Sequence, residues 1–285
     1  MANLKEIRNR IASVSSTMQI TSAMKMVSAA KLKKAQDAIT AMRPYANKLT
    51  ELLQNLSATL DADSGSKFAA ERDLKKVLIV AITSNRGLCG AFNSNIIKQA
   101  HARASQYHGI EVSVTAIGKK ANDALAKDFP INSVHNDIFD DLCFENVARI
   151  AEVLMQQFES GAFDKIEIIY NKFKNAATQT VITEQFLPIV PAEADSNSNS
   201  DYIFEPSKLE IVEALIPKSL KTQLFKAIRD SFASEHGARM TAMHKATDNA
   251  TELRDQLKLT YNKARQAAIT NEILEIVGGA EALNN

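Results

Sequence analysis

The sequence predicts an α/β domain inserted between two long terminal helices, which wind around each other as an antiparallel two-helix coiled coil. Three observations predict it. Residues 1–64 contain no glycine and residues 218–285 contain no proline, although the 285-residue chain has nine Gly and six Pro. An apolar period of 3.5 residues runs through the first segment, and a second long stripe runs through the last. Between them, strand-like and helix-like runs alternate, which is the signature of a mainly parallel sheet with helical crossovers.

In the first segment, alternating steps of three and four from Leu4 meet seventeen positions up to Leu60, of which fourteen are apolar. The three failures, Thr21, Lys25 and Ser28, are consecutive. Such a seam lays one stripe of a helix along a partner helix. About 55 residues at 1.5 Å each would span roughly 80 Å, more than a domain of this size is wide, so part of the helix is expected to project. Pro44 opposes the helix, because an interior proline costs about 3 kcal/mol. The seam nevertheless continues in phase from Met42 to Ala46. A kink is expected there rather than an end.

In the middle, Lys76–Thr83 reads as a buried strand, followed by a glycine-containing turn at 85–90 and a helix near 92–106. Ile110–Gly118 reads as a strand, 119–127 as a short helix and 146–158 as a helix. Lys165–Phe173 and Thr178–Val190 are strands joined by a short polar turn, which adds an antiparallel edge. The insert is therefore Rossmann-like in class. The last segment is read as a helix from Pro217 to the Gly278–Gly279 pair. Its stripe begins at Leu220, Leu224 and Ile228 and closes at Leu253, Leu257, Ala264, Ala268 and Leu274. Between them, Ala238, Ala242, Ala246 and Ala250 offer a row against which another helix can approach closely. Residues near 3–57 and 208–283 are expected to pair with no intervening core. The expected domains are 1–60, 74–204 and 205–285, joined by the polar stretches 61–73 and 192–201.

Composition removes several function classes. A net charge of +1 supplies no global field for nucleic acid or anionic lipid, although residues 1–60 alone carry +6 from nine basic and three acidic groups. The longest wholly apolar run is six residues, Val77–Ile82, against about 20 for a membrane helix. Two cysteines make no disulfide framework and suit a reducing compartment. The basic N-terminal stretch lacks the interleaved aromatics of a single-strand binder.

The turn Thr83–Ala91 follows a strand and opens a helix, where α/β sheets bind phosphates. It matches neither glycine-rich nucleotide fingerprint. It reads as a structural turn around Arg86, Gly87, Cys89 and Gly90, with Cys89 a small packing residue. No His or Cys spacing makes a metal site: His236 and His244 stand about 12 Å apart along a helix. Asp137, Asp140, Asp141 and Glu145 precede a helix and read as capping and dipole compensation. No cofactor is implied. At 21–28 the polar residues fail the seam while Met24 and Val27 point elsewhere, so the helix is expected to meet a second partner there; Met suits changing neighbours. Two other classes stand beside this: an α/β enzyme using the 83–91 turn, which nucleotide turnover by the isolated chain would reveal, and a coiled-coil adaptor with a folded insert, which would bind a single partner without affecting nucleotide turnover.

Several stretches resemble a known family. Ile20–Val27 and Ala30–Gln36, the turn Thr83–Gly90, Ser234–Met243 with Ala246–Asn249, and Tyr261–Val277 with Gly279–Ala280 are similar to motifs of the gamma subunits of bacterial-type rotary ATP synthases, in order and over essentially the whole chain. At position 85 that family commonly has Asp where this chain has Asn. The resemblance implies a non-catalytic rotor shaft for proton-coupled ATP synthesis. Its coiled coil would lie on the axis of a hexamer of alpha and beta subunits, and its globular foot would meet the epsilon subunit and the c-subunit ring. The implied location is the cytoplasmic face of the bacterial cell membrane, peripheral and without membrane insertion. Carried over by position, Met24, Arg239, Arg265, Gln266, Thr270 and Glu272 would contact catalytic subunits, and Tyr202 and Glu205 would lie at the foot. The plastid form's regulatory cysteine insertion has no counterpart here.

Overall fold

The computed structural model describes residues 4–57, 67–68, 72–189 and 208–283. Helix α1 (Leu4–Ser57) passes through Pro44 as one element. Buried residues on both sides of the proline hold it: Ile39 before, Ala46 and Leu49 after. Arg43, next to the proline, donates to the Phe173 carbonyl at 3.3 Å. These anchors outweigh the missing backbone donor.

The insert contains β1 (Lys76–Ile82), α2 (Phe92–Ala104), β2 (Glu111–Ile117), α3 (Lys119–Leu125), β3 (Ile131–His135), α4 (Phe144–Glu159), β4 (Lys165–Phe173) and β5 (Gln179–Leu187). The sheet order is β3-β2-β1-β4-β5. All pairs are parallel except β4 with β5, so the antiparallel edge lies where the short turn requires it. Strand β3 has no counterpart in the sequence reading. Its five residues carry Asn132, Ser133 and His135 and are only half-buried, so they present neither an apolar run nor a clean alternation.

Helix α5 (Lys208–Leu283) has the 208–283 bounds expected of the pairing helix, and Pro217 and the Gly278–Gly279 pair, which bounded the periodic stripe in the sequence, lie inside it. The reason lies in the sheet. Ile216, Leu220, Leu224, Ala227 and Ile228 are buried in one cluster with Leu78, Val80 and Ile82 of β1, Ile168 and Tyr170 of β4, and Val147, Leu154 and Phe158 of α4. The stretch of α5 from Ile216 to Ile228 is therefore a covering layer of the α/β domain, where a coiled-coil stripe was expected. Helices α2 and α3 cover the opposite face through Ile96, Ala100, Ala121 and Leu125. The layers are helix, sheet, helix.

The chain forms two compact units: Met1–Ser28 with Met240–Asn285, and Ala29–Arg239. Within the first unit, α1 and α5 run antiparallel. Arg8 Nη2 donates to Tyr261 Oη at 2.8 Å, Thr251 Oγ1 to Met18 Sδ at 3.3 Å, and Thr247 Oγ1 to Thr21 Oγ1 at 2.8 Å; Lys25 Nζ lies 3.3 Å from His244 Nδ1. As numbers rise along α1 they fall along α5. This register brings Leu4 opposite the turn near residue 265. Beyond it no described residue of α1 faces α5, and Leu274, expected in the seam, is 64% exposed. Within the second unit α1 also meets α5, through Arg43 with Asp230 and Lys218 over the Tyr45 ring.

Candidate functional site

Helix periodicity sets the first surface. Thr21 and Ser28, which break the apolar period, stay in the seam and are buried. Their hydroxyls donate to the Met18 and Met24 carbonyls one turn back, and Thr21 also accepts from Thr247. A hydroxyl satisfied in this way can occupy a seam position. Lys25 joins them by reaching His244. The expectation that these three residues leave the seam is corrected. Ile20, Ala23, Met24 and Val27, at i, i+3, i+4 and i+7, form a different face. Met24 is half-buried, but Ile20 and Val27 are 58% and 57% exposed. A contiguous apolar stripe on a polar helix marks a protein contact.

The second surface is the unaccompanied end of α5. Arg265, Gln266, Thr270 and Glu272 are all exposed there. Thr270 Oγ1 donates to the Gln266 carbonyl at 2.9 Å. Arg265 and Glu272, seven residues apart, share a face, and Gln266 and Thr270 share another. Ile269, Ile273, Ile276 and Val277 are exposed among them, between 48% and 71%. Tyr202 and Glu205 lie outside the described residues.

The third place is the turn after β1. Leu88 and Gly90 adopt φ of 61° and 59°, which folds residues 86–90 into a tight loop. Asn93 on α2 holds it: its Oδ1 accepts from the Ser84 N–H at 3.0 Å, and its Nδ2 donates to Ser84 Oγ at 2.9 Å and to Cys89 Sγ at 3.2 Å. Asn85 Nδ2 donates to the Asn136 carbonyl, and its Oδ1 accepts from Lys119 N–H. The Asn at position 85 thus ties three loops together. Cys89 is buried against Phe92 and Ala238. Burial pushes its thiol above the ordinary range, which suits packing and not nucleophilic chemistry. The side chains of Ser84, Asn85 and Cys89 are thus engaged inside the chain, while Arg86 is exposed.

Arg239 belongs to this third place. It is 8% exposed and donates to Glu235 Oε1 at 2.6 Å and to the carbonyls of Arg86 and Gly87 at 3.0 and 3.3 Å. Its guanidinium therefore points into the chain, unlike Arg265, Gln266, Thr270 and Glu272. Glu235 was missed by the sequence reading; its i, i+4 spacing from Arg239 was the available signal. Of the carboxylates expected to cap α4 and offset its dipole, Glu145 lies in the first turn where it offsets the dipole, but none provides the cap. Cys143 is the N-cap with no side-chain bond, and Asp141 instead accepts from Asn146. His236 is buried against Phe232, and its imidazole is pushed down to about 4 by burial and by Arg239 and Lys31.

The comparisons with known proteins agree. A family profile described as ATP synthase matches residues 3–283. The ATP synthase gamma chain of Flavobacterium psychrophilum is 75% identical over 284 residues, covering 99% of both chains. That of Flavobacterium johnsoniae is 75% identical over 285 residues, covering all of both. The chain belongs to the ATP synthase gamma-chain family. Members of this family are the central-stalk rotor subunit of that complex. A solved Tetrahymena thermophila mitochondrial ATP synthase central stalk and c-ring includes a chain 27% identical, with a TM-score of 0.62 over 80% of this chain and 99% of that one. A chain of the Euglena gracilis mitochondrial enzyme, 22% identical, shares the fold with a TM-score of 0.67, covering 98% of this chain and 94% of that one. Among the described residues, no helix of this gamma-family chain is long and apolar enough to cross a membrane.

Proposed function

We propose that this chain is the rotating shaft that couples a proton-driven c-subunit ring to sequential binding, conversion and release of nucleotide on the alpha and beta subunits, itself performing no bond chemistry. The observation that carries the reading is the pairing of the two ends of the chain into an antiparallel seam that leaves the tail of α5 exposed, in a chain of the gamma family. A shaft needs stiffness along its axis and discrete, breakable contacts at its surface. The long helices supply the first. Exposed Arg265, Gln266, Thr270 and Glu272 supply the second, since exposed ion pairs are worth only about 0–1 kcal/mol each. The apolar face around Met24 supplies a further contact to a catalytic subunit. The insert, with Tyr202 and Glu205 in the segment before α5, meets the epsilon subunit and the ring. In this reading the chain is a peripheral subunit at the cytoplasmic face of the bacterial membrane.

The test is to assemble alpha and beta subunits with this chain and attach a visible probe to the insert. Stepwise turning of the probe during ATP hydrolysis is the expected result. Turnover with a stationary probe, or turnover by the isolated chain, would overturn the reading.

A further inference from the structure

Glu235 and Arg239 stand one turn apart on α5 and are each 8% exposed. Two charges removed from water in this way make a weak case for stability, because desolvation offsets most of their attraction. Burial indeed pushes the Glu235 carboxyl upward, against the pull of Arg239, Lys31 and Arg86. What the pair does provide is geometry. The Arg239 fork reaches a carboxylate on its own helix and two successive carbonyls of the loop after β1 at the same time. A lysine ammonium, a point charge without a planar fork, cannot hold that arrangement. Glu235 orients the fork and the loop receives it. Beside them Ala238 packs on Cys89 and Phe92, so polar and apolar contacts fasten the same loop to the same turn of helix. Arg239 is also the last residue of α5 that belongs to the compact unit containing the insert.

We propose that the Glu235–Arg239 pair is a torque lock: it fastens the 86–90 loop of the insert to α5, so that insert and helix turn as one body. Arg239 is then a positioning residue acting through the loop, and its role in coupling depends on Glu235. The coupling part of this inference rests on the rotor reading above; the fastening part does not.

Two measurements on Glu235→Ala, Glu235→Gln, Arg239→Ala, Arg239→Lys and the double alanine variant test it. The first is amide hydrogen exchange in the full-length chain. Faster exchange in residues 86–91, with β1 and β4 amides unchanged, is expected for every variant; unchanged exchange in the loop overturns the lock. The second is the number of protons pumped per ATP hydrolysed in membranes carrying the assembled complex. The expected result is a lowered ratio in both single alanine variants, a double variant no worse than the worse single, and no rescue by Arg239→Lys. Loss in Arg239→Ala alongside a wild-type ratio in Glu235→Ala, or an additive double variant, would show Arg239 acting outside the chain and overturn the proposal. A loosened loop with wild-type pumping would overturn the coupling role. If the wild-type assembly pumped no protons, the rotor reading would fail, while the exchange result would still decide the fastening.

Discussion

Among the described glycines, Gly118 leaves a side chain the least room. Its φ is 101°, and a Cβ there would sit 2.3 Å from the Thr83 backbone carbonyl oxygen, where the chain leaves the C-terminal ends of the paired strands β1 and β2. Gly118→Ala should therefore lower stability by about 3 kcal/mol or more, read from a denaturant melt. Gly87 has nothing within 4 Å and no positive φ, so Gly87→Ala in the same assay should stay within about 0.5 kcal/mol. Asp230 makes a second residue-scale case. It is 1% exposed, neither carboxylate oxygen accepts a hydrogen bond, and Arg43 approaches only to 3.6 Å. Burial raises its carboxyl above the unfolded value of 3.8, despite Arg43, Lys226 and Lys172. The folded chain thus holds this proton more tightly than the unfolded chain does. Its contribution favours folding below pH 3.8 and is lost as pH rises through the folded value. At pH 7 Asp230→Asn should be at least as stable as wild type, with less destabilisation on passing from acid to neutral pH. A clearly less stable variant would show that the Arg43 pair outweighs the desolvation. Glu167 behaves oppositely. Burial alone would raise it, but Arg103, Tyr107 and Lys165 together hold it below the usual range, so its contribution is present above pH 4.5 and fades as pH falls through its lowered value.

Among the elements, the coiled coil makes the sharpest demand, because an antiparallel seam has one register. The Arg8–Tyr261 and Met18–Thr251 contacts bracket Ile11 and bring it opposite the turn of α5 that contains Leu257. The pair Ile11→Cys with Leu257→Cys should crosslink under mild oxidation, seen as a mobility shift on a non-reducing gel. Ile11→Cys with Leu274→Cys should not. The reverse outcome would mean that the register is wrong by more than four turns. The seam was legible in the 3.5 period, but not its polar middle. Thr21 and Ser28 look like failures in a hydropathy pattern, because that pattern cannot show a hydroxyl finding the carbonyl one turn back or a partner hydroxyl on another helix. The same limit hid β3, a half-buried strand with polar residues.

For the molecule as a whole, the informative substitution is Met24→Lys. Met24 shares the exposed face of Ile20, Ala23 and Val27, away from the Thr21–Thr247 seam. In the proposed contact with a catalytic subunit, a lysine there would find a carboxylate on that subunit. Partly desolvated, that pair would exceed the roughly 1 kcal/mol of an exposed one. A bond made in one rotary orientation and absent from the others deepens a single well, out of which the shaft must climb on each turn. The expected outcome is retained assembly with fewer protons pumped per ATP hydrolysed. A wild-type ratio would remove Met24 from the contact surface, and loss of assembly would mean that its buried half carries the packing.

The sequence by itself determined the class of fold, the two long helices, four of the five strands and the family. Each of these follows from local periodicity, breaker positions or short motifs, which are properties of neighbours along the chain. Tertiary structure decided where those helices are employed. Only the sheet could turn Ile216–Ile228 from a coiled-coil stripe into a layer of the α/β core and carry α5 through Pro217. Only the register could leave Leu274 outside the seam. Only the loop after β1 could turn Arg239 inward toward its carbonyls. The physical reason is the same in all three: a periodic pattern states that a face will be covered, and which surface covers it depends on contacts between residues distant in the chain.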